Sequence, residues 1–371
     1  MAPAPENSTP LSDSIAASWD RFLHDFEPGY AQIVSAFSTR LDLPAAEREL
    51  LPLLEEYLLR PGKRIRPFLF YAGFRLFASP ERPFSEDLFR PASGLELFHN
   101  FVLIHDDVID GAETRRRKPS LQNGIREALG CSLRHAEHLA VVLGDMLFAY
   151  ATAQFSHPPH AERILPGFLQ LALETGAGEG LELLNTARSL DSVLEGDILK
   201  TYELKTTRYT FEGPLRLGAL SAGAPGARLD FLTRIARPLG LAFQIENDLH
   251  EIRMPAGNEG GFAVDFLAGV KTIILHRYFQ ESTPGERKAV LELLSQDDPP
   301  LDAIQALHAR IAASPVFQAI EEENRRRFLE AAHAIEKANL PPVQARELHL
   351  LLEALRKRSQ HSEAPTQPPA N

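Results

Sequence analysis

From residue 13 to residue 358 the apolar residues return every three or four places and nowhere alternate. Segments such as AERELLPLLEEYLLR, HAEHLAVVLGDMLFAYATAQF, LTRIARPLGLAFQIENDLHEI and VQARELHLLLEALRKRS gather them on one face of a 3.6-residue helix, and no run of β-branched residues at period two competes. This pattern predicts an all-α chain. Clusters of Pro and Gly at 79–83, 157–159, 223–226, 254–261 and 298–300 punctuate it at helix-length intervals, so they read as loops within one domain. With 44% of 371 residues apolar, a single sizeable core can be buried. The ends, 1–12 and 359–371, are rich in Pro, Ser, Glu and Gln and read as disordered tails, which leaves 13–358 as the folded domain.

One stretch carries chemistry on its face. In LELFHNFVLIHDDVID the apolar spacing is helical, so Asp106 and Asp110 project from one side a turn apart, while Asp107 lies about 100° around the axis. The same line runs back through Leu103 to His99 and Glu96, up a helix otherwise made of Leu, Val, Ile and Phe. Carboxylates one turn apart repel unless a cation sits between them or one takes a proton. Magnesium suits such a pair, because it takes one or two carboxylates and keeps phosphate oxygens and water as its other ligands. Arg115, Arg116, Arg117 and Lys118 follow at once, and guanidinium forks pair with phosphate in bidentate fashion. A solvated helix end with cations suited to the macrodipole would have the same composition, so the rest of the chain has to decide.

Other constellations lean the same way. RPGKRIRP places Lys63, Arg64 and Arg66 between Pro61 and Pro67, where cations and the Gly62 amide can cradle an anion. ELKTTRYTFEGPL offers Lys205 and Arg208 in a segment that Pro214 should bend or end. A second acidic helix stripe lies in AFQIENDLHEI, with Gln244, Asn247, Asp248 and Glu251 at helical spacing. Facing helices of a bundle commonly build metal sites from such stripes. A net charge of −11 argues against a nucleic-acid partner. The lone Cys131 excludes an internal disulfide, suits a cytoplasmic location and reads as an inert core residue. No cationic, apolar leader opens the chain, and its longest apolar stretch is too short to span a bilayer.

GKRIRP, HNFVLIHDDVID with RRRKP, KTTRYTFEGPLRLGA and AFQIENDL, in that order, resemble the motifs of the trans-isoprenyl diphosphate synthases, the family that makes farnesyl, geranylgeranyl and longer prenyl diphosphates. The resemblance implies an all-α, single-domain bundle around a deep central cavity, usually a homodimer, joining isopentenyl diphosphate head to tail onto an allylic diphosphate. It implies that Lys63, Arg66, His99 and Arg116 hold isopentenyl diphosphate, that Arg115, Lys205, Thr206 and Gln244 face the allylic diphosphate, and that Lys271 also binds substrate. It further implies magnesium, three ions per site, on Asp106 and Asp110 and on Asn247, Asp248 and Glu251, with Asp106, Asp110, Lys205 and Asp248 central to catalysis. Phe101 and Val102, five and four residues before Asp106, and Phe98 a turn below, would form the floor that sets chain length, here a geranylgeranyl-type product.

The chain also departs from the family pattern. The second DDxxD reads Asn247, Asp248 and Glu251, a lysine usual soon after it is missing near Gly260, and Lys271 sits one place later than the usual glycine-lysine pair. The Asn-Asp pair resembles a class I terpene synthase motif, but Glu251 and Pro255 do not complete it, and a cyclase has no use for a second phosphate site. A cyclase-like enzyme and a catalytically weak regulatory subunit therefore stay open as alternatives to a prenyltransferase.

Overall fold

The computed structural model describes residues 14–40, 49–79, 84–157, 159–253, 266, 268–296 and 299–360. Contacts gather the chain into two compact units: Met1–Phe68 with Pro83–His157 and Pro341–Ala354, and Leu69–Arg82 with Pro158–Leu340 and Leu355–Asn371. Among the described residues the only strands are two of two residues each, Thr114–Arg115 (β1) and Lys118–Pro119 (β2). The all-α expectation therefore holds.

The first unit is built on α1 (Ser14–Arg40), α2 (Leu50–Leu59), the start of α3 (Ile65–Arg75), α4 (Glu86–Ile109), α5 (Leu121–Leu129) and α6 (Leu133–Gln154). Trp19, Phe22, Phe26 and Tyr30 recur at three- and four-residue spacing on α1 and are all buried. Trp19 stacks on Phe68 at 4.0 Å, and Phe26 stacks on Tyr30 at 5.5 Å. This aromatic ridge supplies much of the unit's apolar burial, since each ring hides a large area. The motif helix α4 packs along α6, and the approach is close. A Cβ on Gly94 would lie 2.6 Å from the Phe155 ring, and one on Gly144 2.6 Å from the His105 ring. Cys131 is only half-buried, in the turn between α5 and α6, because a short helix and its cap leave that junction at the surface.

The second unit contains α7 (Ala161–Thr186), α8 (Glu195–Tyr202), a π-helical segment Glu203–Glu212, α9 (Gly213–Ser221), α10 (Asp230–Arg253), α11 (Ile273–Glu281), α12 (Pro284–Leu294), α13 (Leu301–Ala312) and α14 (Pro315–Lys337). A last helix, α15 (Pro342–Gln360), runs into the segment read as a tail from Ser359; residues 1–13 and 361–371 lie outside the described residues, as do Pro255 and Gly260. Leu249, Ile273, Ile274, Leu307 and Ile311 anchor the apolar core of this unit. The loop expected at 223–226 is present, with Gly223 at φ +90°.

The π segment is wider than an α-helix, and its neighbours make room with glycines. A Cβ on Gly178 of α7 would lie 2.9 Å from the Lys205 amide, and one on Gly240 of α10 would lie 2.7 Å from the Thr207 Cα. The end of α3 meets α9 more closely still, for a Cβ on Gly73 would overlap the Leu215 carbonyl and one on Gly218 the Phe70 carbonyl. No helix among the described residues is long and apolar enough to cross a membrane.

Backbone atoms cannot yield as a side-chain end can. Gly218→Ala should therefore destabilise by at least about 1–3 kcal/mol. Gly124→Ala, in α5 with nothing within 4 Å of the added methyl, should be neutral or stabilise by up to about 1 kcal/mol. Denaturant unfolding of both variants checks the contrast.

Candidate functional site

The first cluster lies at the end of α4. The Asp110 amide donates to the Asp106 carbonyl at 2.8 Å, so the two aspartates stand one turn apart as their spacing requires. Asp110 is exposed and Asp106 half-buried, whereas Asp107 is fully buried. Asp107 accepts from the Tyr57 hydroxyl at 3.0 Å and from Arg115 Nε at 2.7 Å. The other end of the Arg115 fork reaches Asp106 at 3.4 Å. Burial raises the Asp107 pKa above the ordinary carboxylate value although Arg115 and Tyr57 oppose it. Tyr57 is pushed up by burial and by the Asp107 charge, so it keeps its proton and donates.

The basic run forms a hairpin that sequence reasoning did not foresee. Arg115 pairs with Lys118, and the loop residues Arg116 and Arg117 hold φ of 55° and 62°. Two positive φ values are what a type I′ turn needs, a place usually given to Asn-Gly. Arg60 braces the hairpin by donating to the Arg115 and Pro119 carbonyls at 3.1 and 2.9 Å while holding Glu56. Of RPGKRIRP, then, Arg60 serves structure, and so does Arg64, whose buried fork pairs with Glu96 at 2.7 Å and Glu27 at 2.9 Å. Lys63 is exposed and Arg66 half-buried. A Cβ on Gly62 would lie 3.3 Å from the Arg116 guanidinium, so this glycine leaves room for that cation.

His99 is half-buried among these arginines. Burial first, and then the charges of Arg66, Arg116, Arg64 and Arg115, hold its pKa well below the ordinary histidine value. It is a neutral ring in a positive basin, available as a hydrogen-bonding group. On the same helix Phe98 is buried and Phe101 and Val102 are half-buried. Phe101 meets Phe98 at 5.7 Å and Phe148 of α6 at 5.2 Å, so Phe148 packs against the residues that the sequence reading expects to form a floor.

The second cluster lies on the π segment and the latter half of α10. Thr206 donates to Gln244 Oε1 at 2.7 Å, and Gln244 Nε2 donates to Asp248 at 3.1 Å. The Tyr202 hydroxyl donates to the other Asp248 oxygen and accepts from the Ile273 amide at 3.0 Å. Asp248 is thus buried with both oxygens engaged, while Asn247 and Glu251 are half-buried at i and i+4. Lys205 is held by Glu179 at 2.8 Å and Glu182 at 2.5 Å, two acids of α7 that the sequence reading passed over. Lys271 is buried, donates to the Gly269 carbonyl at 2.6 Å, and has its pKa lowered by burial.

No group of three or more His, Cys, Asp or Glu is preassembled for a metal among the described residues. The pairs Asp106 with Asp110 and Asn247 with Glu251 still offer hard oxygen donors one turn apart, which suffices for an ion that takes its remaining ligands from phosphate and water.

Accessible carboxylates beside fixed arginines and lysines are the equipment of a helical protein that handles phosphorylated substrates through hard cations. Residues 47–311 match the polyprenyl synthetase family. The chain belongs to that family, whose members transfer prenyl groups in isoprenoid biosynthesis. It is 27% identical over 266 residues to the short chain isoprenyl diphosphate synthase of Methanocaldococcus jannaschii, covering 68% of this chain and 75% of that one. It is 28% identical to the chloroplastic geranylgeranyl pyrophosphate synthase 11 of Arabidopsis thaliana, covering 78% and 82%. The fold matches a geranylgeranyl pyrophosphate synthase from Corynebacterium glutamicum, solved with isoprenyl diphosphate and magnesium, at a TM-score of 0.78 and 23% identity over 92% of this chain and 99% of that one.

With a folded pKa below the unfolded value, His99 stays neutral while the unfolded ring charges as pH falls below about 6.5. Its share of stability is complete above that value and is lost on acidification, by up to about 1.4 kcal/mol per pH unit. Replacing His99 with Gln should flatten the slope of unfolding free energy between pH 7 and 5, measured by denaturant titration.

Proposed function

We propose that this chain is a magnesium-dependent trans-prenyltransferase that condenses isopentenyl diphosphate with an allylic diphosphate to give a short-chain product of geranylgeranyl type. The observation that carries the reading is the Asp106, Arg115, Arg116 and His99 group, in which accessible carboxylate and phosphate-binding cations are fixed on one helix end and its hairpin. In this reading Lys63, Arg66, His99 and Arg116 bind isopentenyl diphosphate, and Arg115, Lys205, Thr206, Gln244 and Lys271 bind the allylic diphosphate. Asp106 and Asp110 would hold magnesium, as would Asn247 and Glu251; Asp248, expected from the sequence to be a further magnesium ligand central to catalysis, has its two oxygens engaged by Tyr202 and Gln244 and is placed in this reading as the group that orients Gln244. The Corynebacterium neighbour's magnesium supports this assignment, and three ions per site remain part of the proposal. When bound, magnesium neutralises the charge of the departing diphosphate.

The reaction breaks the allylic C–O bond, joins the allylic carbon to the terminal carbon of the isopentenyl double bond, and releases a proton and diphosphate. Arg115 and Lys205 stabilise the leaving oxygens, and Arg66 and Arg116 keep the second diphosphate in place. Neutral His99 adds a hydrogen bond without adding to the repulsion among the arginines. Both units would serve this one reaction as a single functional domain. A homodimer fits the exposed leucines along α7, Leu169, Leu173, Leu183 and Leu184, which form an apolar stripe of the kind that subunits cover, and a cytoplasmic location is part of the same proposal.

Asp106→Ala should lower turnover by several orders of magnitude with helical content unchanged, read by product formation and circular dichroism. Near-normal activity would refute the assignment. Phe101→Ala should open the floor and lengthen the products, sized by mass spectrometry. An unchanged distribution would place the floor elsewhere.

A further inference from the structure

Within the second unit, α8, the first half of α10 and the end of α14 line a cavity of about 780 Å³. Lys200, Arg234, Arg237, Arg327 and Lys337 line it, and the carboxylates among them are Glu203 and Glu330. On a chain of net charge −11, five cations against two carboxylates make this lining locally cationic.

Internal pairing leaves the positive charge in excess. Lys200 holds Glu203 at 2.9 Å, and Arg237 stands 3.7 Å from both Glu203 and Glu212. Arg327 binds Glu323. Arg234 and Lys337 have no acid within ion-pair distance among the described residues. Leu199, Pro238 and Leu241 add an apolar wall. The volume lies in the roughly 300–1,000 Å³ range of small-molecule sites.

We propose that this cavity is a second, non-catalytic binding site for a diphosphate-bearing anion. Arginine forks and lysine ammonium groups supply the phosphate contacts, and the apolar wall accommodates any hydrocarbon attached to the head. Its charged end, at Arg234 and Arg237, stands about 10–15 Å before Gln244 along the α10 axis at 1.5 Å per residue, while Leu241 and Thr207 bring the other end of the lining beside the Thr206–Gln244 pair. It also touches the machinery. An anion drawn to Lys200 and Arg237 competes with Glu203 for both, and Glu203 opens the π segment that carries Lys205 and Thr206. Two sources share this chemistry, inorganic diphosphate and a prenyl diphosphate.

Hydrogen exchange of the full-length protein, read by mass spectrometry, locates binding without relying on turnover, so failure of the prenyltransferase reading leaves this test intact. Titration with inorganic diphosphate should protect peptides covering 196–203 and 327–337. In an Arg234→Ala, Lys337→Ala double variant the concentration for half-protection should rise at least ten-fold, with the melting temperature and the exchange of the free protein unchanged elsewhere in the chain. A non-hydrolysable thiolo prenyl diphosphate that protects these peptides at ten-fold lower concentration than diphosphate identifies a prenyl ligand, and equal potency identifies free diphosphate. Absence of protection there with either probe, or equal protection in the double variant, overturns the proposal.

Discussion

The carboxylate of Asp107 is buried to zero exposure, and the first unit's site depends on how it is satisfied. Tyr57 and Arg115 reach its side chain, while its backbone carbonyl accepts from Gln122 Nε2 at 2.9 Å and from the Ala112 amide at 2.8 Å. One residue thereby ties α2, the end of α4, the hairpin and α5 together. Removing a partner would leave a desolvated charge, a loss of about 3–5 kcal/mol where such pairs have been broken. Asp107 turns inward, while Asp106 is half-buried beside the Arg115 fork and Asp110 lies exposed one turn on.

The second unit repeats the device. Asp248 is buried against Tyr202 as Asp107 is against Tyr57, and in both cases burial and the adjacent carboxylate hold the phenol in its protonated, donating form. The second acidic position of each motif is thus a buried, hydrogen-bonded anchor, and the flanking positions at i and i+4 are more exposed than it is; in the proposed reading those flanking positions are the ligand positions. This separation of roles gives a physical account of Asn247. An outward position can exchange a carboxylate for an amide and still offer oxygen, whereas an amide in place of Asp248 would turn its NH2 toward one of the two donors, the Tyr202 hydroxyl or Gln244 Nε2, that the carboxylate accepts from.

How much of this was legible in the sequence depends on whether the interaction is local. Helical periodicity and the one-turn separation of Asp106 and Asp110 are properties of single segments, and both stand. The long helices α7 and α14 were not singled out, since Pro166 and the charged run EEENRRR blur their patterns. The hairpin could not be read, because two arginines at positive φ contradict ordinary turn chemistry and are held there by Arg60, more than fifty residues away in sequence. The same holds for Arg64, a cation in a basic motif that a remote buried Glu96 converts into a structural ion pair. Glu179 and Glu182 became visible only once α7 was known to lie beside the π segment. The π segment itself carries no periodic signature, yet Gly178 and Gly240 are the sequence marks of the space it needs.

Positive φ at Arg116 and Arg117 costs of order 1–3 kcal/mol each, and the surrounding bonds hold that strain rather than relieve it. Strain of this kind has a use where long, flexible cations must meet a multiply charged anion. A free arginine gives up much of its rotamer freedom on binding, but Arg115 is already fixed on Asp107, and Arg116 on the Arg60 carbonyl at 3.1 Å. The ordering is done during folding, where the aromatic core of α1 and the Asp107 hub offset it, and not at the moment of binding. Fixed dipoles and charges stabilise a developing diphosphate charge without reorganising, which is where such groups contribute most to a transition state. The neutral state of His99 follows from the same arrangement, since a basin of preset guanidinium groups leaves no room for another charge and favours a ring that hydrogen-bonds without one.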